Sequence, residues 1–281
     1  MPPLALALVL GASVFHTAWN FVLKSEPRRL EAALLALGTA VLLSAPVLLF
    51  HPLAEVSAPA WALVLLSGAF ETAYLVTLTA AYRIGDLSLV YPIARGTAPL
   101  AVTPLAVLVL GERLSPSGLF GVALIVAGIF GMHPGVLRSA TGARPAVGLA
   151  ALSGLMIAGY SLVNKVRVGT MPVLLWAFLV QSVDAVLLLI VLAVRGGISW
   201  PQPGAPRWRA LAIGALMLGA YLAILTALSL APVSYVVAGR EVSIVVIALA
   251  GALLLHERHS SRRIAGAVVI FAGLIVLAFS R

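Results

Sequence analysis

The segment "VYPIARGTAPLAVTPLAVLVLGER", Val90 to Arg113, aligns without gaps with "YVVAGREVSIVVIALAGALLLHER", Tyr235 to Arg258. Each is an apolar run with an arginine at the same place, Arg95 and Arg240, and each closes on a Glu-Arg pair, Glu112–Arg113 and Glu257–Arg258. A match of this kind dictates an architecture made of two copies of one unit. The similarity extends in both directions. "AYLVTLTA", Ala73 to Ala80, reappears as "AYLAILTA", Ala220 to Ala227, and Gly121 and Gly128 fall opposite Gly266 and Gly273. A weaker match sets Trp19 opposite Tyr160 and Lys24 opposite Lys165.

The 281 residues are 62% hydrophobic and 10% charged, and the mean hydropathy is +1.12, whereas soluble domains are roughly half apolar. A helix needs about 20 apolar residues to cross about 30 Å of hydrocarbon. Runs of that length recur along the whole chain, and ten spans are expected: Pro3–Leu23, Glu31–Phe50, Pro59–Tyr82, Leu87–Leu110, Ser117–Met132, Ala146–Lys165, Met171–Val194, Trp208–Ser229, Pro232–His256 and Ile264–Phe279. The runs are unbroken rather than alternating, which favours helices over barrel strands. The opening "MPPLALALVLGASVF" lacks a basic n-region and an A-x-A-like cleavage site, so it reads as a retained first span.

The fold class is therefore an all-α polytopic membrane protein, with ten transmembrane helices arranged as two five-helix repeats. Residues 1–133 form the first repeat, 134–145 the joining loop and 146–281 the second repeat. Five is odd, so the second repeat is inverted relative to the first. Inverted repeats with a site at their interface near the midplane are a recurrent design of secondary transporters. Each arginine is the ninth residue of its span, about 12 Å along the helix at 1.5 Å per residue. Approached from opposite faces, both lie near the centre of the bilayer.

The formal charge of +9 does not point to nucleic acid, because the basic residues are dispersed among short loops. The absence of cysteine removes disulfides and thiolate metal sites, and no metal or cofactor is expected. There is no G-x-x-x-x-G-K-[ST] loop through which ATP could drive the chain. An intramembrane enzyme is the alternative to a transporter, but the chain has neither a G-x-S-x-G elbow nor an H-E-x-x-H pair. A purely structural or receptor-like membrane protein makes no use of paired mid-membrane arginines.

Charged groups at mid-membrane cost about 2.5–3.5 kcal/mol on insertion scales, so each should face the bundle interior and find a partner. Arg95 and Arg240 stay protonated and offer planar forks suited to carboxylate or phosphate. The competing reading locks them to Glu71 and Glu241 as structural ion pairs. Neighbours on a helix point about 100° apart, so Glu241 should look across the bundle rather than to Arg240. Opposite Glu241 in the repeat stands Gly96, so that acid is not duplicated.

Ser13, His16, Asn20 and Lys24 recur at intervals of three and four on the first span and share a face, flanked by Trp19. His16 can carry a proton or make an interhelical hydrogen bond. Glu71, Tyr74, Leu78 and Tyr82 share a face of the third span. A carboxylate there, moved between wet and dry surroundings, takes up and releases a proton, so Glu71 and His16 are the proton-coupling candidates. Tyr74 and Tyr221 coincide within the repeated "AYL" and can offer rings and hydroxyls to a ligand. Tyr160 and Asn164 share a face of the sixth span with Arg167. The expected substrate-binding set is Arg95, Arg240, Glu241, Tyr74, Tyr221, Asn20, Trp19, Tyr91, Tyr160 and Asn164. Gln181 and Asp184 read as interhelical hydrogen bonds, and Glu112 and Glu257 as caps or solvated pairs at helix ends. Pro92, Pro99 and Pro104 predict bends in the fourth span, whereas Pro232 only opens the ninth.

The five-plus-five duplication, "LGERLS" and "LHERHS" closing the fourth and ninth spans, the glycines of the fifth and tenth, and "FHTAWNFVLK" ending the first together resemble a known family. It comprises the ten-span members of the drug/metabolite transporter superfamily built from two EamA repeats, and the resemblance covers essentially the whole chain. The resemblance implies a central cavity lined mainly by the first, third, fourth, sixth, eighth and ninth spans. It also implies transport of a metabolite, since the superfamily moves amino acids, sugars, nucleotide sugars and organic phosphates, and it favours efflux over uptake. With two arginines and Glu71 and Glu241 in view, the expected substrate is a small amphipathic or anionic metabolite such as an amino acid, organic phosphate or phosphonate. The expected partners are the lipid bilayer, that solute, and a coupling proton or counter-substrate, with no nucleic acid. The expected location is a bacterial inner (plasma) membrane.

Overall fold

The computed structural model describes residues 1–24, 29–132, 143–196, 207–245 and 261–280, with no strand among them. The helices are α1 (Pro3–Lys24), α2 (Arg29–Ser44), α3 (Ala58–Ile84), α4 (Leu87–Leu110), α5 (Pro116–Gly131), α6 (Arg144–Arg167), α7 (Val173–Val194), α8 (Arg207–Leu230), α9 (Val233–Arg240) and α10 (Ser261–Phe279). Helices are what such apolar runs must form in hydrocarbon, where each N–H and C=O has to be satisfied within its own segment. Six of them, α2 with its extension, α3, α4, α6, α7 and α8, are long and apolar enough to cross a membrane. Large side chains such as Leu42, Leu108, Val194 and Phe279 stand exposed, as expected of surfaces that face lipid tails.

Helix ends follow local chemistry. Proline occupies the first turn of α3, α5 and α6, where its missing N–H costs nothing. Ser115 caps α5 by accepting from the Gly118 amide at 3.2 Å. After α4 the chain turns through Gly111 at φ 65°, a left-handed conformation that a Cβ would disfavour.

Two spans depart from expectation. The second was expected as one helix to Phe50, but α2 stops at Ser44 and Ala45–Leu49 winds as a tighter 3-10 turn. Pro46 cannot donate back along an α-helix, which ends the regular pattern there. The ninth was expected to run unbroken from Pro232. Instead α9 ends at Arg240, Glu241 forms a turn, and helix resumes over 242–245. The bonds at this break reach only three residues, Glu241 N to Ala238 O at 3.0 Å and Ile244 N to Glu241 O at 3.0 Å. Glu257 and Arg258 lie outside the described residues.

In the packing, α3 lies along α6 and α1 along α8, α7 lies against α3 and α2 against α8, and α5 lies along α10. The last contact is made of glycine. A Cβ added to Gly128 would meet the Gly266 carbonyl oxygen at 2.8 Å, and one added to Gly266 would meet that of Gly128 at 2.8 Å. Gly121 and Gly273 face each other in the same way, at 3.0 and 2.8 Å. Such close approach is how helices associate where lipid is as apolar as the side chains. At one end of the bundle the Met1 ammonium donates to the carbonyls of Leu277, Ala278 and Ser280 at 3.1, 3.2 and 2.8 Å, satisfying the C-terminus of α10. Partial burial holds that ammonium below the usual α-amino pKa.

Candidate functional site

Between these helices lies a cavity of about 940 Å³ of space between atoms, its open mouth included. It is lined from α1, α3, α4, α6, α8 and α9, and also from α2 through Leu37 and from α7 through Gln181 and Asp184.

On the α4–α9 side, Arg95 is 4% exposed. Its Nε stands 3.0 Å from Glu241 Oε2, its Nη2 donates to Ser243 Oγ at 2.9 Å, and its guanidinium lies 5.8 Å from the Tyr91 ring centroid. The turn at Glu241 swings that carboxylate away from its neighbour Arg240 and towards α4, so Arg95 is neutralised where it sits. Arg240 differs. It is half-buried, lines the cavity, donates from Nη1 to the Tyr160 hydroxyl at 3.2 Å, and makes no ion pair among the described residues.

The α3–α7–α8 side is acidic. Glu71 Oε1 accepts from the Tyr221 hydroxyl at 2.7 Å. That hydroxyl accepts from Asn164 Nδ2 at 3.2 Å, and Asn164 Oδ1 accepts from Trp176 Nε1 at 2.8 Å and from Ser67 Oγ at 2.9 Å. One residue along α3, Thr72 donates its hydroxyl to Asp184 Oδ1 at 2.6 Å. Gln181, one turn before Asp184, is 3% exposed, and its Oε1 accepts no hydrogen bond. Among the described residues neither Glu71 nor Asp184 forms an ion pair.

Aromatic rings line the cavity as well. His16 packs edge-on to Trp19 with centroids 5.0 Å apart, and Tyr74 meets Tyr160 at 6.4 Å and 65°. At one end of the cavity region the α8–α9 turn is tied down. The Glu112 carboxylate accepts from the Val233 amide at 2.6 Å and from Ser234 Oγ at 3.0 Å, capping α9. Lys165 Nζ donates to the carbonyls of Leu228 and Ala231 at 2.6 and 2.8 Å, closing α8. Glu112 therefore does act as a cap.

The structure brings Arg95, Arg240, Glu71, Tyr74, Tyr160, Asn164, Tyr221, His16 and Trp19 onto the cavity wall. Glu241 and Tyr91 are not on that wall; they hold Arg95 from behind. The side chain of Asn20 lies outside the described residues. The alternative that Glu71 locks Arg95 is not what is found, since Glu241 takes Arg95 and Tyr221 takes Glu71. Sequence reasoning assigned Gln181 and Asp184 to interhelical bonding; Asp184 does bond across to α3, yet both also face the cavity. Trp176, which orients Asn164, was missed altogether, because an indole in an apolar run carries no pattern. Among the described residues no three acidic or histidine side chains converge as a metal site.

The sequence pattern of the "EamA-like transporter family" matches residues 3–133 and 144–279. Among solved structures, 29 chains match. One of them, described only as "Crystal structure of protein", superimposes with a TM-score of 0.77 at 18% identity, over 97% of this chain and 96% of its own. At that identity the likeness speaks for the fold alone. No curated protein matches.

Proposed function

Since the chain belongs to the EamA-like transporter family, we propose that it is a secondary transporter, and not an enzyme, that exports a small amphipathic or anionic metabolite by alternating access. The observation that carries the reading is Arg240. It is a permanently charged fork on a cavity wall, at a break in its helix, with no ion pair to a carboxylate among the described residues. A carboxylate, phosphate or phosphonate would complete it with paired hydrogen bonds.

The architecture proposed is ten spans in two inverted five-helix repeats, set in a bacterial inner membrane. Exchanging the halves turns the contact of Gly121 with Gly273 into that of Gly266 with Gly128, and the α3–α6 pair into α8–α1. That reciprocity supports an inverted arrangement. A broken helix beside a mid-depth site fits the same class.

Coupling is assigned to Glu71, with His16 on the same wall. Closing a gate dries the carboxylate and favours its protonated form, whereas opening the cavity or the approach of Arg240 favours release. Asp184 and the Tyr221 hydroxyl face Glu71 from α7 and α8 and belong to the same exchange.

Counterflow in proteoliposomes tests the reading. Labelled amino acids and organic phosphates should exchange against unlabelled solute with the wild type and fall at least tenfold with Arg240→Gln. Undiminished exchange by that variant removes the anion site, and absence of any exchange by the wild type removes the transporter. Glu71→Gln should lose accumulation driven by an imposed pH gradient even at solute concentrations that saturate its exchange.

A further inference from the structure

The acidic wall has no role in holding an anion. Glu71 and Asp184 place two carboxylates on one cavity with no ion pair to either among the described residues. Beside them Gln181 lines the cavity, and its buried Oε1 accepts nothing. Donors already present, the hydroxyls of Thr72 and Tyr221, point into the carboxylates and hold them in place. The need left over is for a group that is positive and donates several hydrogen bonds at once. An alkylammonium is such a group, with three donors and no acceptor.

We infer that Glu71, Asp184 and Gln181 form a subsite for a protonated amine of the transported solute. The inference rests on the transport reading and narrows its substrate to a zwitterion. Arg240 sits against Tyr160, while Glu71 is reached from Asn164 through Tyr221. Tyr160 and Asn164 are one turn apart on α6, a rise of about 6 Å, and each leads to one of the two poles. A compact molecule with an ammonium at one end and a carboxylate at the other spans them. A phosphate or phosphonate without an amine would satisfy Arg240 and leave the acidic wall unanswered.

Two matched sets of probes test this with purified protein at pH 7. They are leucine, 3-methylbutylamine and 4-methylpentanoate, and phenylalanine, phenethylamine and 3-phenylpropionate. Affinities are read from ligand-induced thermal stabilisation, and exchange of the two amino acids from counterflow. In at least one set the zwitterion should bind best, at least tenfold more tightly than its deaminated acid. Asp184→Asn should weaken zwitterion and amine at least tenfold and change the acid less than twofold. Gln181→Met should weaken the same two about threefold to tenfold, and it serves if Asp184→Asn does not fold. An acid that binds as tightly as its zwitterion, or variants that weaken all three compounds alike, would overturn the amine subsite while continued exchange leaves the transporter standing. Failure of every probe to bind or exchange with the wild type sinks both readings.

Discussion

Arg95 on α4 is held by Glu241, Ser243 and Tyr91 and is 4% exposed, whereas Arg240, at the matching register on α9, opens onto the cavity and touches Tyr160. Of the two, only Arg95 has an ion-pair partner among the described residues. Where α9 has Glu241, α4 has Gly96, and a Cβ at Gly96 would lie 2.7 Å from the Phe130 ring. No carboxylate can be carried there, so Arg240 has no image of the Arg95–Glu241 pair. The difference teaches that a duplicated residue need not keep a duplicated job. One arginine ties the halves together, and the other stands on the cavity wall without an ion pair among the described residues.

The largest expected effect breaks the tied side. Glu241→Gln leaves Arg95 buried and charged without its counter-ion, a loss of about 3–5 kcal/mol, seen as collapse of the melting transition in detergent. Arg95→Gln should destabilise by a similar route, because it strands Glu241. The double variant Arg95→Met with Glu241→Leu should melt above either single Gln variant, since removing both charges removes the burial cost. A double variant no more stable than the singles would show that the pair holds position rather than balancing charge.

Next comes the open side. Arg240→Gln should melt within about 1 kcal/mol of wild type and yet lose exchange. Arg240→Lys keeps the charge without the planar fork and should fall between the two in half-saturating concentration. The smallest effect is expected from Tyr160→Phe, which removes one hydrogen bond from Arg240. At about 0.5–1.5 kcal/mol per bond it should raise the half-saturating concentration by no more than roughly tenfold. If Tyr160→Phe matched Arg240→Gln in effect, the hydroxyl itself would be a ligand contact.

Much of this was legible in the sequence. The length of an apolar run is set by the hydrocarbon it crosses, so most helix positions follow from composition, and the gapless repeat singles out Arg95 and Arg240 before any geometry. Which arginine takes Glu241 was not legible. That choice depends on a three-residue turn at Glu241 and on the crowding of Gly96 by Phe130, neither of which has a pattern in one strand of text. Gln181 and Asp184 escaped for a related reason. Two polar residues one turn apart in an otherwise apolar helix look the same whether they bond to a neighbouring helix or to a solute, and only the cavity distinguishes the cases.

The glycine crossing of α5 and α10 sets what kind of movement the bundle can make. With carbonyl oxygens of one helix under 3.0 Å or at 3.0 Å from where the other's Cβ atoms would be, lengthwise travel by even one residue carries side chains such as Ile270 or Leu277 into the facing backbone. The seam is in mechanical terms a clamp rather than a slide: two contacts seven residues apart, about 10 Å along the helix, hold α5 and α10 as one unit.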